Sequence, residues 1–402
     1  MPPCLIGPDR LEFALYAHFR SGGGSSGGLL ARLLARQGHE VRCGDRDPER
    51  ARRFLGPKLP CEAVNARNLW AIVRAAQGSH LIVNGVAATF NEIVLRAALR
   101  LRAHYFDMAA NLGRHPFKAE QLGYGKRFEA KRRTAVINAG VAPGLTNLLV
   151  ARSADVLDRV ETVHIRLHES SESRDPISQW SPESAFDEAV SRPPIYRGGR
   201  YQRAPRFSEP EWFRFPEPIG RTRVVLAAQD EVATLPRFIP LHNLDVKFGG
   251  NEIDRLRRLY RRGRLRPARR PPRKRFPKTP TPRQVARLIK HGVLLNARFA
   301  AAVVVRGVRR GQLLEHRWTC LVPSLYQLRQ RGLLMSPIAY ATAQVAAAFV
   351  KRFPRDLWGV YPPEALPADL RREILADLKP RDFQITLKTR TLKAPEEHFD
   401  DL

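Results

Sequence analysis

Residues 13–37, FALYAHFRSGGGSSGGLLARLLARQ, decide the reading of this chain. A short apolar run, FALYAHF (13–19), precedes a block of glycine and serine, and a strong helix former with Leu and Ala on one stripe follows it. Within the small residues lies a Gly-x-Gly-x-x-Gly pattern at Gly22, Gly24 and Gly27, with Ser25 and Ser26 before the third glycine. Taken alone, such a segment also reads as a flexible linker. With a strand before it and a helix after it, it reads as a dinucleotide-binding turn. The first glycine permits the tight turn, the second lets backbone approach a diphosphate, and the third lets the helix pack closely on the strand. The helix N-terminus then offers unpaired N–H groups and partial positive charge to the phosphates. Asp45, 18 residues beyond Gly27, stands where a carboxylate accepts hydrogen bonds from the adenosine ribose. Arg46 beside it could instead clamp a 2′-phosphate, so the cofactor reads as NAD(P)H with the 2′ group open.

Outward from this turn, strand and helix patterns alternate as far as residue 150. HEVRCGD (39–45), HLIVNG (80–85), HYFDMA (104–109) and TAVINAG (134–140) read as strands, separated by helical stretches such as LWAIVRAA and EIVLRAALRLR. This rhythm predicts an α/β fold, a Rossmann doubly wound parallel sheet with helices on both faces. Ligands of such sheets bind beyond the carboxyl ends of the strands, which nominates Asn84 and Gly85, Asp107 to Asn111, and Gly140 to Asn147. Asp107 is the candidate for a polar group near a reacting centre, though a loop or helix-capping carboxylate explains it equally well.

After residue 150 the rhythm changes. VETVHIRLHE (160–169) and TRVVLAAQD (222–230) read as strands joined by long Pro-rich and aromatic connections, and 298–322 as two strands around a turn at Arg309-Arg310-Gly311. This predicts a second, α+β domain over 148–331, with a Rossmann domain over 1–147 rejoined by C-terminal helices within 332–402. Residues 254–283, RLRRLYRRGRLRPARRPPRKRFPKTPTPR and its preceding Asp254, read as an exposed basic connector.

The 402 residues suit two or three domains, and 43% apolar with 27% charged residues is globular composition. No apolar run reaches the roughly 18–20 residues that cross a bilayer, and the N-terminus lacks the basic start and apolar block of a secretion signal. Cys4, Cys43, Cys61 and Cys320 form no CxxC pair, which argues against a zinc site or a disulfide framework and suits a reducing cytoplasm. A net charge of +30 would by itself point to nucleic acid or another polyanion. Arginine, however, greatly outnumbers lysine and is dispersed at helical spacing, the pattern of a solvated basic surface. Only 254–283 is dense enough to keep polyanion binding as an alternative.

Further segments resemble one family, the saccharopine dehydrogenase-like proteins, which include saccharopine reductases and carboxynorspermidine dehydrogenases. GHEVRCGDRDPERARRF resembles the family's second strand and acidic turn, and HLIVNGVAATFNEIVLRAAL with HYFDMAAN its Asn-containing strand and "HYxD" segment. INAGVAPGLTNLLVAR resembles its "GxDPGLSN" stretch, SQWSPESAFDEAV its "SWSPEG", EPIGRTRVVLAAQDEVATLPRFI its "EPxG…E..TLP" region, and GVYPPEAL its "GVxPPE". The matches follow family order from residue 22 to about 370. The resemblance implies a nicotinamide-dependent enzyme that reduces the imine formed from an aldehyde and an amine, or cleaves a secondary amine oxidatively. It also implies a small amine or carboxylate substrate and a homodimer. Substrate contacts would come from Gly144, Thr146, Asn147, Trp180 and Ser181. The chain departs from the family at Ala142, where Asp is usual before Pro-Gly, and in the polar first strand with Tyr16, His18 and Arg20. Those departures support the other alternative, a catalytically silent dinucleotide-binding scaffold.

Overall fold

The protein is represented by a computed structural model, which describes residues 12–16, 24–111, 115–265 and 276–392. The N-terminal part alternates strand and helix: β1 (Glu12–Tyr16), α1 (Gly24–Arg36), β2 (Glu40–Asp45), α2 (Pro48–Leu55), β3 (Cys61–Ala63), α3 (Leu69–Ala75), β4 (Leu81–Asn84), α4 (Asn91–Leu101), β5 (His104–Asp107), α5 (Gly125–Ala130) and β6 (Thr134–Val136). Helix α6 (Leu145–Ala154) leads into the second part. There follow β7 (Arg159–Ser173), α7 (Pro182–Val190), β8 (Pro194–Arg197), β9 (Arg200–Arg203), β10 (Glu211–Arg214), β11 (Arg221–Leu226), α8 (Glu231–Phe238), β12 (Asn243–Gly249), α9 (Asn251–Arg261) and α10 (Pro282–Lys290). The chain continues through β13 (Leu294–Arg309), β14 (Gln312–Leu321), α11 (Leu325–Gln330), α12 (Pro337–Lys351), β15 (Gly359–Tyr361), α13 (Ala368–Ala376) and β16 (Gln384–Thr391).

The first sheet has the order β15-β6-β5-β4-β1-β2-β3, with every pairing parallel. Helices cover both faces, so its strands are buried along their length, as LIVN of β4 and HYFD of β5 are. The order reverses between β1 and β4, and the crevice for a ligand opens there. Helix α1 closes this end by burying Leu29, Leu30 and Leu34, and α12 packs along it. At Gly28 a Cβ would lie 2.8 Å from the Cβ of Phe54, so the α1–α2 crossing requires a glycine there. The first strand is shorter than 13–19 and begins one residue earlier, and Gly22 lies outside the described residues.

The second sheet is mixed, ordered β10-β11-β12-β7-β13-β14-β16, with β8 and β9 attached beside β12. Its centre is the parallel pair β12–β7 and the long antiparallel ladder β7–β13. Strand β12, NLDVKFG, escapes a reading by hydrophobicity because it carries charge into the interior. Arg166 of β7 pairs there with Asp245 and, at 2.5 Å, with Glu211, while Lys247 meets Glu211 at 2.7 Å. Glu211 is held below the usual carboxylate range by these cations, against the opposing effect of its burial.

Two sequence expectations need amendment. The described part of 332–402, residues 332–392, is shared between the two sheets: α12 packs on α1 and β15 pairs with β6 of the first sheet, whereas β16 pairs with β14 in the second. The basic segment is not uniformly an exposed connector. Residues up to Arg261 continue helix α9, and Phe276, Thr279 and Thr281 are buried, while 266–275 lie outside the described residues. Cys43 and Cys61, distant in sequence, are register neighbours on β2 and β3; both are free, buried thiols whose pKa burial raises. Among the described residues, no helix is long and apolar enough to cross a membrane.

Candidate active site

The crevice is built from strand ends. Helix α1 begins at Gly24, and Ser25 and Gly27 are buried in its first turn with Ser26 half-buried. Asp45 ends β2, is 2% exposed, and accepts the Asp47 N–H on Oδ1 at 2.7 Å. Asp47 in turn caps α2 by accepting the Arg50 N–H at 3.1 Å, while Arg46 is exposed. A buried carboxylate one strand away from a glycine-rich helix start is the donor and acceptor set that a dinucleotide needs.

At the ends of β4 and β5 the predicted residues are buried pegs. Asn84 donates to Asn91 Oδ1 at 2.7 Å and accepts the Val86 N–H at 3.1 Å, with Gly85 buried between them. Asp107 is 1% exposed, and its two oxygens accept from Asn138 N at 2.8 Å and Gln121 Nε2 at 2.9 Å. Burial pushes its pKa up to about 7 against the lowering effect of these bonds. Such a group holds a proton near neutrality, but its carboxyl lies beneath the crevice floor.

Gly144, Thr146 and Asn147 were expected at the substrate. The structure places them in a buried hydrogen-bond cluster with Glu231 and Glu364, each of which keeps one oxygen without a hydrogen-bond partner among the described residues. Thr146 Oγ1 donates to Glu231 at 2.7 Å, and Asn147 Nδ2 donates to Glu364 at 3.0 Å while its Oδ1 accepts the Gly144 N–H at 3.0 Å. Thr146 and Asn147 are fully buried. Gly144 has φ +129°, and a Cβ there would lie 1.9 Å from the Gly140 oxygen. The segments GLTN, EVATLP and PPE, far apart in sequence, therefore meet as a structural lock between the domains, beside α6, α8 and the turn after β15.

A cleft of about 680 Å³, including its mouth open to solvent, lies in the second part of the chain, walled by Trp180, Phe207, Phe248 and Phe276 and carrying Glu169 and Glu188. Trp180 Nε1 donates to Glu169 Oε2 at 3.1 Å, and Gln229 Nε2 to Glu188 at 2.8 Å. Burial pushes Glu169 up to about 8, with nearby Glu252 adding to the shift, and holds Glu188 well above its ordinary value, with Asp230, Glu169 and Glu231 adding to it. Ser181 is the N-cap of α7, accepting the Ser184 N–H at 3.2 Å, and does not line this cavity. A second space of about 370 Å³ begins at Ser25 of α1 and is bounded by Thr279 and Ser336. The two share the wall Ile177-Ser178-Gln179. Sequence reading missed Glu169 and Glu188, since neither sits in a spacing pattern and only the fold turns them inward. Among the described residues, no group of three or more His, Cys, Asp or Glu is placed to hold a metal ion.

Comparison with known proteins agrees with this geometry. A family model described as saccharopine dehydrogenase NADP binding domain matches residues 21–140. Carboxynorspermidine synthase of Vibrio cholerae serotype O1 (strain ATCC 39315 / El Tor Inaba N16961) is 22% identical over 203 residues. That match spans 48% of this chain and 49%, about half, of the relative. The apo saccharopine dehydrogenase (L-Glu forming) of Saccharomyces cerevisiae has the same fold, with a TM-score of 0.69 over 95% of this chain and 100% of that one, at 11% identity. The crevice at α1 is thus a site for a nicotinamide dinucleotide, in a part of the chain that matches the saccharopine dehydrogenase NADP-binding model, and the chain as a whole is similar in fold to saccharopine dehydrogenase.

Proposed function

We propose that this protein is an NAD(P)-dependent oxidoreductase that reduces the imine formed from an aldehyde and an amine, or runs the reverse oxidative cleavage of a secondary amine. The observation that carries the reading is the shared wall Ile177-Ser178-Gln179, which brings a large carboxyl-bearing cavity against the space at the start of α1. When bound, the nicotinamide dinucleotide supplies or accepts the hydride. The N–H groups of Gly24 to Gly27 would hold its diphosphate, and Asp45 its adenosine ribose, with Arg46 available to a 2′-phosphate.

The second domain supplies what an iminium carbon needs around it. An iminium nitrogen needs hydrogen-bonding partners, and Glu169 and Glu188 present carboxyl groups to the cavity between aromatic walls. Asp107 is a positioning residue, tying the end of β5 to Asn138 and Gln121 and so fixing the crevice floor.

Calorimetric titration with NADH and NADPH side by side tests the site, and loss of absorbance near 340 nm with amine–aldehyde pairs tests the reaction. Saturable binding of one nucleotide and turnover with at least one pair are expected. Absence of nucleotide binding overturns the redox reading; binding without turnover across a broad panel of pairs leaves a dinucleotide-binding scaffold.

A further inference from the structure

Strand β10 forms the edge of the second sheet opposite β16, and its register with β11 sets Trp212 across from Arg223 and Arg214 across from Arg221. Residues directly opposite one another in an antiparallel pair stand on one face, so an indole and three guanidinium groups share this face. Glu211, Phe213 and Val224 alternate to the other face, where Phe213 packs with the buried Phe215 and Val224. Helix α9 continues the basic face. Arg257 lies close enough to Arg223 for their like charges to oppose each other, and Arg261 follows Arg257 one helical turn on.

Local carboxylates do not neutralise these cations. Glu252 is taken by Arg255, and Glu217 meets Arg214 at 3.6 Å with both side chains largely in water. Burial, then Arg223 and Arg261, hold Arg257 below its ordinary value, with Asp254 opposing them. Arg223, Arg257 and Arg261 form no ion pair among the described residues. Trp212 is 62% exposed amid this charge, and the guanidinium carbon of Arg221 lies over its ring, 5.0 Å from the centroid. One side of the indole is thus covered by a cation and much of the remainder faces solvent.

We propose that this face binds single-stranded nucleic acid, with Arg214, Arg221, Arg223, Arg257 and Arg261 following the phosphates and a base stacking on Trp212. A single strand presents the two chemistries the face answers: a run of negative charges, and flat rings free to leave one another for an aromatic platform. A guanidinium meets a phosphate through two parallel hydrogen bonds. An acidic peptide would answer the arginines but not the open indole, and a duplex keeps its bases stacked inside. The surface is at the opposite edge of the sheet from β16.

Fluorescence anisotropy of the full chain with a labelled oligothymidylate of about 12 nucleotides tests the assignment, with NADPH present to occupy the crevice at α1. Five phosphate contacts at about 0.7 each give an expected slope of log affinity against log salt of about −3.5. The double variant Arg223→Gln with Arg257→Gln should make that slope shallower by about 1.4 and weaken binding at least fivefold. Trp212→Ala should weaken binding at least fivefold with the slope unchanged, and Trp212→Phe, which keeps a ring, should recover most of the loss. Urea midpoints close to that of the unaltered protein show that the variants are folded. No binding at about 50 mM salt, or an affinity unmoved by both the double variant and Trp212→Ala, overturns the proposal. Heparin, polyglutamate or a duplex of equal length bound as tightly as the single strand, with Trp212→Ala silent, would mark a general polyanion surface and overturn it equally.

Discussion

The Asp230 carboxylate accepts the backbone N–H of Ala110 at 2.8 Å, joining the start of helix α8 to the loop beyond β5. One carboxyl oxygen thereby bridges the ends of the first sheet and the second domain. Asp230→Ala leaves the buried amide unpaired, at a cost of about 1–3 kcal/mol. A lower urea midpoint is expected for Asp230→Ala, while Asp230→Asn, which keeps an acceptor oxygen, stays close to the unaltered protein. Equal midpoints for both variants would show that the contact contributes nothing.

Gly28→Ala places a methyl group 2.8 Å from the Cβ of Phe54, and backbone atoms of Phe54 lie 3.2 and 3.3 Å away, so the strain cannot be relieved by a side-chain rotation. Overpacking of this kind costs about 1–3 kcal/mol. Because α1 and α2 flank the nucleotide crevice, the variant should both unfold at lower denaturant and bind NAD(P)H more weakly. Unchanged nucleotide affinity in calorimetry would separate the helix crossing from the cofactor site.

Burial raises the pKa of several interior carboxyls: Asp107 and Glu364 to about 7, and Glu169 to about 8. Each binds its proton more tightly folded than unfolded, so the stability it contributes is full at low pH and is lost as pH rises through the folded value. His104 and His168, both held near 4 chiefly by burial, act in the opposite sense but only below their ordinary value of 6.5. From pH 6.5 to 8.5 the carboxyls therefore dominate, and Tm should fall. Asp107→Asn removes one of them and should flatten the slope. A Tm that rises over this window, or a slope indifferent to the substitution, contradicts the account.

Strand β16 lies at the outer edge of the second sheet, nearly all of it exposed, and Leu387 on it is 43% exposed. An edge with open backbone groups and an uncovered leucine is suited to pairing with a second copy, as the family resemblance implies. Sedimentation velocity should find a dimer, and Leu387→Glu should shift it towards monomer. A monomeric unaltered chain removes β16 as an interface.

The first sheet was legible because each of its longer strands is a compact apolar run bounded by helix formers, from LIVN (81–84) to HYFD (104–107). The three-residue strands β3 and β15 are too short to carry a period, and β15 reaches its neighbour only across more than two hundred residues. In β12, Asp245 and Lys247 break the apolar pattern because their charges are neutralised by residues of other strands, which a local reading cannot supply. Site residues divided the same way. The place of Asp45 at the end of β2 follows from its distance to the glycines, whereas Thr146 and Asn147, at a helix start as the sequence suggests, turn inward to Glu231 and Glu364. Glu169 and Glu188 became visible only once β7 and α7 were brought around one cavity.

The closing of the first sheet by β15 has a consequence for synthesis on the ribosome. Its seventh strand, Gly359–Tyr361, is translated after the whole of the second sheet except β16, so the N-terminal half leaves the exit tunnel with Thr134–Val136 as a bare flank. That half must wait, incompletely sealed, for most of the message to be read. A nascent chain stalled before residue 359 should therefore be cut more readily by protease in its first 150 residues than one stalled beyond residue 361.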